Sequence, residues 1–240
     1  MIGIFDSGRG GENAARYLYS LLPSETVMLL CDRENAPFGS RTEGELIPIL
    51  RAGLSRLRSL GAERILVACC TMCTVLPALA GEFPEAFPII GPTAAEAVRS
   101  GGRIAVISTE RTARSHAFRE ALLGRLPDAR ILELPAPALV GIAERGGAAL
   151  PEEYAEIDSV LHTVSLFGAD TLILGCTHFS TLKDYIAASL PDTALVDAAK
   201  VGAVALAEEI KQLRENKRRL KKWQNTDADG LTRRWQTSLP

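Results

Sequence analysis

The feature that most restricts the fold of this chain is an alternation. Apolar runs of strand length are separated by longer stretches in which apolar residues recur at helical spacing. Such alternation builds βα units, whose parallel strands are covered by helices, and it predicts an α/β fold with mainly parallel sheets. Strands are expected at Ile2–Phe5, Val27–Cys31, Ile65–Ala68, Arg103–Ser108, Ile131–Leu134 and Thr171–Leu174. Helices are expected at Gly11–Leu22, Glu43–Leu60, Arg111–Leu126 and Glu152–Phe167. Between the halves, Pro84, Pro88, Gly91 and Pro92 crowd a short passage that reads as turns and a domain junction.

The pattern restarts near Gly101. Ile2 corresponds to Ile104, Val27 to Ile131 and Ile65 to Leu172, at offsets of about 102 to 107 residues, which points to a duplicated scaffold. Two similar lobes are expected, with the junction between them in the proline-rich passage. A helix over 203–223 carries Leu206, Ile210, Leu213 and Leu220 at helical spacing. Its end is crowded by Lys211, Arg214, Lys217, Arg218, Arg219, Lys221 and Lys222 and reads as a solvated face. The last residues, including Asp227, Asp229 and Gly230, read as loosely packed.

Composition removes several classes of partner. The chain has 27 Lys and Arg against 29 Asp and Glu, a net charge of −2, so no global positive field draws it to nucleic acid or anionic lipid. Its start, Met-Ile-Gly-Ile-Phe-Asp, lacks the basic n-region of a secretory leader. The uncharged stretch from Ile65 to Gly81 contains Pro77 and falls short of the ~20 apolar residues a spanning helix needs. A cytoplasmic protein with no membrane or nucleic-acid partner is expected, and its cysteines at 31, 69, 70, 73 and 176 are then thiols.

Ligands of open parallel sheets bind beyond the carboxyl ends of the strands. Three such ends are polar here: Asp6-Ser7-Gly8, Cys69-Cys70-Thr71 and Gly175-Cys176-Thr177-His178. The run Gly8-Arg9-Gly10-Gly11 does not make a dinucleotide loop, because Asn13 stands where the third glycine belongs and Asp6 lies where pyrophosphate would sit. No four-ligand spacing for structural zinc is present, and Cys70 and Cys73 form a lone Cys-x-x-Cys, so no metal is expected. Cys31 and Cys73 read as core thiols. Cys69 and Cys176 each end an apolar strand before an expected helix N-terminus, which would lower a thiol pKa from about 8.5 toward neutrality. Two thiols facing one cleft from two lobes suit stereoinversion at carbon, one removing a proton from one face while the other supplies a proton to the opposite face.

Over nearly its whole length the chain resembles the cofactor-independent aspartate/glutamate racemase family, and within it the glutamate racemases. The likeness rests on Ile4-Phe5-Asp6-Ser7-Gly8 with Gly10-Gly11, Pro37-Phe38-Gly39-Ser40, Val67-Ala68-Cys69-Cys70-Thr71, Thr109 and Thr112 with Ser115, Pro137 through Glu144, Gly175-Cys176-Thr177-His178, and Val196-Asp197. It implies two flavodoxin-like lobes related by a pseudo-twofold, one of residues 1–95 with the returning segment 206–240 and one of 96–205, with the active site in the cleft between them. It further implies interconversion of L- and D-glutamate without pyridoxal phosphate or other cofactor, a role in supplying D-glutamate for peptidoglycan, and a homodimer. By the same likeness Cys69 and Cys176 are the catalytic thiols, assisted by Asp6 and by His178 with Glu144. Ser7, Pro37, Phe38, Gly39, Ser40, Cys70, Thr71, Thr112 and Thr177 would contact the substrate. The sequence departs from the family at Phe38 (usually Tyr), Cys70 (usually Asn) and Phe179-Ser180 (usually Tyr-Pro). Matching the two halves to each other selects Cys70 as the first thiol, whereas the family motif selects Cys69. Two other readings stay open: a racemase of aspartate or another small acidic amino acid, and a degenerate homologue that binds an amino acid without turning it over.

Overall fold

A computed structural model of the chain describes the backbone of residues 1–147 and 150–236, and the side chains of these apart from 151–152 and 221–236. In chain order the first half comprises β1 (Ile2–Asp6), α1 (Arg9–Leu21), β2 (Val27–Cys31), α2 (Glu43–Ser59), β3 (Arg64–Val67), α3 (Cys70–Cys73), a 3-10 turn at Leu76–Leu79, β4 (Ala86–Pro88) and α4 (Ile90–Ala97). The second half comprises β5 (Arg103–Ser108), α5 (Glu110–Ser115), α6 (Ala117–Leu123), β6 (Arg130–Pro135), α7 (Pro137–Glu144), α8 (Pro151–Phe167), β7 (Thr171–Gly175), a 3-10 turn at Thr177–Leu182, α9 (Lys183–Ser189), β8 (Ala194–Asp197) and α10 (Ala198–Gln236).

The strands form two four-stranded parallel sheets, ordered β2-β1-β3-β4 and β6-β5-β7-β8. One order thus occurs twice, with β1 and β5 in equivalent central places. Ile2 is in register with Val27 and Arg64, as Ile104 is with Ile131 and Thr171. The residues of β1 and β7 are buried throughout. Unbroken apolar runs suit strands covered on both faces.

One large core joins Ile4, Phe5, Leu54 and Leu66 of the first sheet and its helices to Ile104, Val106 and Ile173 of the second. A smaller one, including Leu139, Leu161, Leu172 and Phe179, lies on the other face of the second sheet. The start of α10 inserts Ala199, Ala203, Leu206 and Ile210 into the large core and lies along α1. Arg64–Glu209 and Arg214–Glu25 ion pairs tie α10 to the first half. Lys211, Lys217, Arg218 and Arg219 are exposed, and the packing of the residues beyond 220 lies outside the described side chains.

Three local expectations change. The helix expected over Arg111–Leu126 is two helices, because His116 adopts a left-handed conformation with φ 55°. Its imidazole Nδ1 lies 2.8 Å from Glu133 Oε2, and Ser115 Oγ accepts the Ala117 N–H, so side-chain contacts stabilise the break. The proline-rich passage is not only turns: Ala86–Pro88 adds an edge strand, where the missing N–H of proline is tolerated, and α4 follows at once. Strand β8 has no counterpart in the expected list. Both overlooked strands are edges of only a few residues, too brief to show a period.

Candidate active site

The carboxyl ends of β1, β3 and β7 converge on a cavity of about 620 Å³ between the two sheets. Cys69 lies on its wall two residues past the end of β3, and Cys176 directly after β7, the equivalent strand of the other sheet. The two thiols expected from sequence therefore open on one space, and both are 7% exposed. Ser7, Pro37, Phe38, Gly39, Ser40, Thr71, Glu144 and His178 line the same cavity.

Four further expected residues lie behind the wall. Asp6 is fully buried, with Oδ1 accepting the Gly8 N–H at 2.9 Å and Oδ2 accepting the Thr177 hydroxyl at 3.0 Å. Thr177 thus reaches across from the second half, and its carbonyl accepts from Asn13 Nδ2 at 3.0 Å. Thr112 supports the wall through hydroxyls: its Oγ1 lies 2.9 Å from Thr109 Oγ1 and 3.2 Å from Thr71 Oγ1. Cys70 is buried in the large core and is not among the cavity-lining residues.

The loop carrying Pro37 to Ser40 is fastened to the second half. Arg111 N–H donates to the Gly39 carbonyl at 3.1 Å, and the Arg111 guanidinium pairs with Glu43 at 3.1 Å. A Cβ on Gly39 would lie 3.0 Å from Thr109 Cβ, so glycine permits this close approach. Phe38 is buried and stacks on Phe5 with ring centroids 6.3 Å apart, forming a wall without a hydroxyl.

On the Cys176 side, His178 Nδ1 lies 3.6 Å from the sulfur. The other ring nitrogen, Nε2, is in close contact with Glu144 Oε1. Each thiol therefore has its own companion: the Asp6 carboxyl beside Cys69, and the His178–Glu144 pair behind Cys176.

The chain compares directly with known proteins. The family model of Asp/Glu/hydantoin racemases matches residues 20–206. The chain belongs to this racemase family. A glutamate racemase from Picosynechococcus is 34% identical over 214 residues, which is 87% of this chain and 76% of that protein. The crystal structure of a glutamate racemase from Francisella tularensis in complex with D-glutamate superposes with a TM-score of 0.77 at 26% identity, over 90% of this chain and 81% of that one. That of a glutamate racemase isoform from Bacillus anthracis gives 0.78 at 27% identity, over 88% and 82%.

In this member of the racemase family the Cys69 thiol differs from the sequence expectation. Burial, followed by the charges of Asp6 and Cys176, pushes the Cys69 thiol well above the usual thiol range. The helix after Cys69 is only α3, Cys70–Cys73, too short for its dipole to offset that desolvation. Burial likewise raises the Asp6 carboxyl, against the opposing influence of His178 and three hydrogen bonds. For His178 burial disfavours the charge, but the hydrogen bond and charge of Cys176, with Asp6 and Glu144, outweigh it and hold the imidazole at about 10. A cation thus faces one sulfur of this racemase across neutral pH, while the other sulfur faces a buried carboxyl.

Sequence reasoning gave no site role to Arg33, Ala36, Thr109, Glu110, Pro137, Val140 and Gly141, which also line the racemase cavity, although Thr109 and the run from Pro137 lie in segments that carry the family likeness. Arg33 and Thr109 were within reach of the strand-end rule, since each follows closely on a strand, β2 and β5. Among the described residues, no group of three or more His, Cys, Asp or Glu is arranged to hold a metal ion, and no helix is long and apolar enough to cross a membrane.

Proposed function

We propose that this chain interconverts L- and D-glutamate by two-base proton transfer between Cys69 and Cys176, without a cofactor. The observation that carries the reading is the shared cavity: two sulfurs at the ends of β3 and β7 meet there, the strands being equivalent in the two sheets. The names of the relatives, glutamate racemases at about one-third identity over most of the chain, supply the substrate class.

The substrate Cα lies between the sulfurs, held in a cleft between a first lobe of residues 1–95 with 206–240 and a second of 96–205. In one direction Cys69, as thiolate, removes the Cα proton, and the Cys176 thiol protonates the carbanion from the opposite face; the reverse direction exchanges the roles. Because the Cys69 thiol resists ionisation, its proton leaves to a nearby acceptor, and Asp6, itself raised by burial and ending the strand next to β3, serves as that carrier. His178 meets charge on Cys176 with its own, and Glu144 orients the ring. Ser7, Ser40 and Thr71, with the Gly39 backbone, hold the substrate's α-carboxylate and ammonium without placing a fixed charge on the carbanion. The product D-glutamate serves peptidoglycan synthesis, which places the protein in the cytoplasm.

Incubation with L-glutamate in heavy water, with no cofactor added, incorporates deuterium at Cα and forms the D-isomer. Absence of exchange across the pH range overturns the proposal.

A further inference from the structure

We infer that Arg33 is a specificity-determining residue, its guanidinium binding the side-chain carboxylate of the dicarboxylic amino acid while Cα lies between the thiols; this rests on the proposed racemisation. At about 620 Å³ the cavity falls within the range that accepts drug-sized molecules, so its shape alone selects weakly among small amino acids. Selection then falls to charge. Among the described lining residues Arg33 is the single guanidinium or ammonium, on the loop that follows β2.

The other charged groups of the lining are already engaged. His178 is committed to Cys176 and Glu144, and Glu110 pairs with Arg114 at 2.5 Å. Arg33 has only a loose pairing, 3.5 Å from Glu12 Oε1, with its own side chain 67% exposed. It is therefore free to turn to a ligand at little cost, because an exposed pair at that distance contributes little. Nearby Phe38 offers no donor, and the Thr109 hydroxyl is already engaged with those of Thr71 and Thr112, each 2.9 Å away. A planar guanidinium grips a carboxylate with two parallel hydrogen bonds, which an amide side chain of the same length cannot reciprocate. With Cα at the buried sulfurs and the substrate side chain extending toward the exposed guanidinium, Arg33 meets the far carboxylate.

The test compares the wild type with Arg33→Met and Arg33→Lys, using L-glutamate and L-glutamine as probes in calorimetry and steady-state racemisation. Expected for Arg33→Met is a rise in Kd and KM for glutamate of roughly ten- to hundredfold, the loss that follows removal of a charged hydrogen-bonding partner. Its kcat at saturation stays within a few fold, glutamine binding is unchanged, and Arg33→Lys falls between. Unchanged glutamate affinity in Arg33→Met, or equal loss for glutamate and glutamine, overturns the role of Arg33. If wild-type protein binds glutamate but exchanges no Cα proton, the racemase reading fails while the binding comparison still decides Arg33. If wild-type protein does not bind glutamate, both fall. Thermal unfolding of the variants guards against misfolding, which the exposure of this side chain makes a minor concern.

Discussion

Thr177, at the end of the second sheet, donates its hydroxyl to Asp6 Oδ2 at the end of β1 in the first, 3.0 Å away and fully out of water. One short bond therefore couples the two sheets and satisfies a buried carboxyl beside Cys69. Thr177→Val keeps the shape of the side chain and removes the donor, leaving Asp6 an oxygen short of a partner. Stability should fall by about 1–3 kcal/mol, and Thr177→Ser should restore most of it. Urea unfolding of the three proteins checks this, and equal stability of Thr177→Val and wild type contradicts the coupling.

The thiols should separate sharply under substitution. Cys69→Ala and Cys176→Ala each remove one of two obligatory proton carriers, so racemisation should drop by at least about a thousandfold, in line with the loss of residues that act as a unit. Cys70→Ala, in a core position off the cavity wall, should stay within about tenfold of wild type. Racemisation followed by circular dichroism of the substrate decides, and a greater loss from Cys70→Ala than from Cys69→Ala reverses the assignment.

The imidazole of His178 makes stability depend on pH. Its folded pKa of about 10 lies above the ordinary 6.5, so the folded state holds the proton more tightly than the unfolded chain. The stabilisation is complete below about pH 6.5, declines as the unfolded chain loses its proton, and is gone above about pH 10. Urea midpoints of wild type and His178→Gln should therefore lie furthest apart near pH 6 and converge toward pH 10. A gap that widens with rising pH has the wrong sign for this account.

Two glycines offer opposite outcomes from one substitution. A Cβ on Gly10 would lie 2.1 Å from Thr177 Oγ1 and 2.9 Å from His178 Nδ1, so Gly10→Ala must push α1 off the 3-10 turn that carries both. It should cost about 1–3 kcal/mol and lower kcat/KM by at least tenfold. Gly44, in the first turn of α2, has nothing within 4 Å of an added Cβ, and Gly44→Ala should stabilise by up to about 1 kcal/mol. Melting temperatures and kcat/KM of the two variants read both effects.

Glu144 reaches His178 from the end of α7, and removing its charge should weaken the cation facing Cys176. Glu144→Gln keeps the side chain's size and should lower kcat by roughly ten- to hundredfold with a smaller change in KM. A KM-dominated loss would make Glu144 a substrate contact instead.

The sequence alone was enough to determine the parallel α/β class, the repetition of one βα scaffold, and the polar phrases at the ends of β1, β3 and β7, because strand length and apolar period are local properties written into neighbouring residues. It missed β4 and β8, edge strands too short to carry a period, and it ran a single helix through His116, whose left-handed turn is held by contact with the distant Glu133. The tertiary structure alone decided which of two adjacent cysteines faces the cavity, since one residue along the chain rotates a side chain from the wall into the core. It alone also set the acidity of that thiol. Spacing pointed to a helix dipole lowering the pKa, but burial and the Asp6 charge raise it, the first set by how the chain packs around Cys69 and the second by β1 lying beside β3 in the sheet.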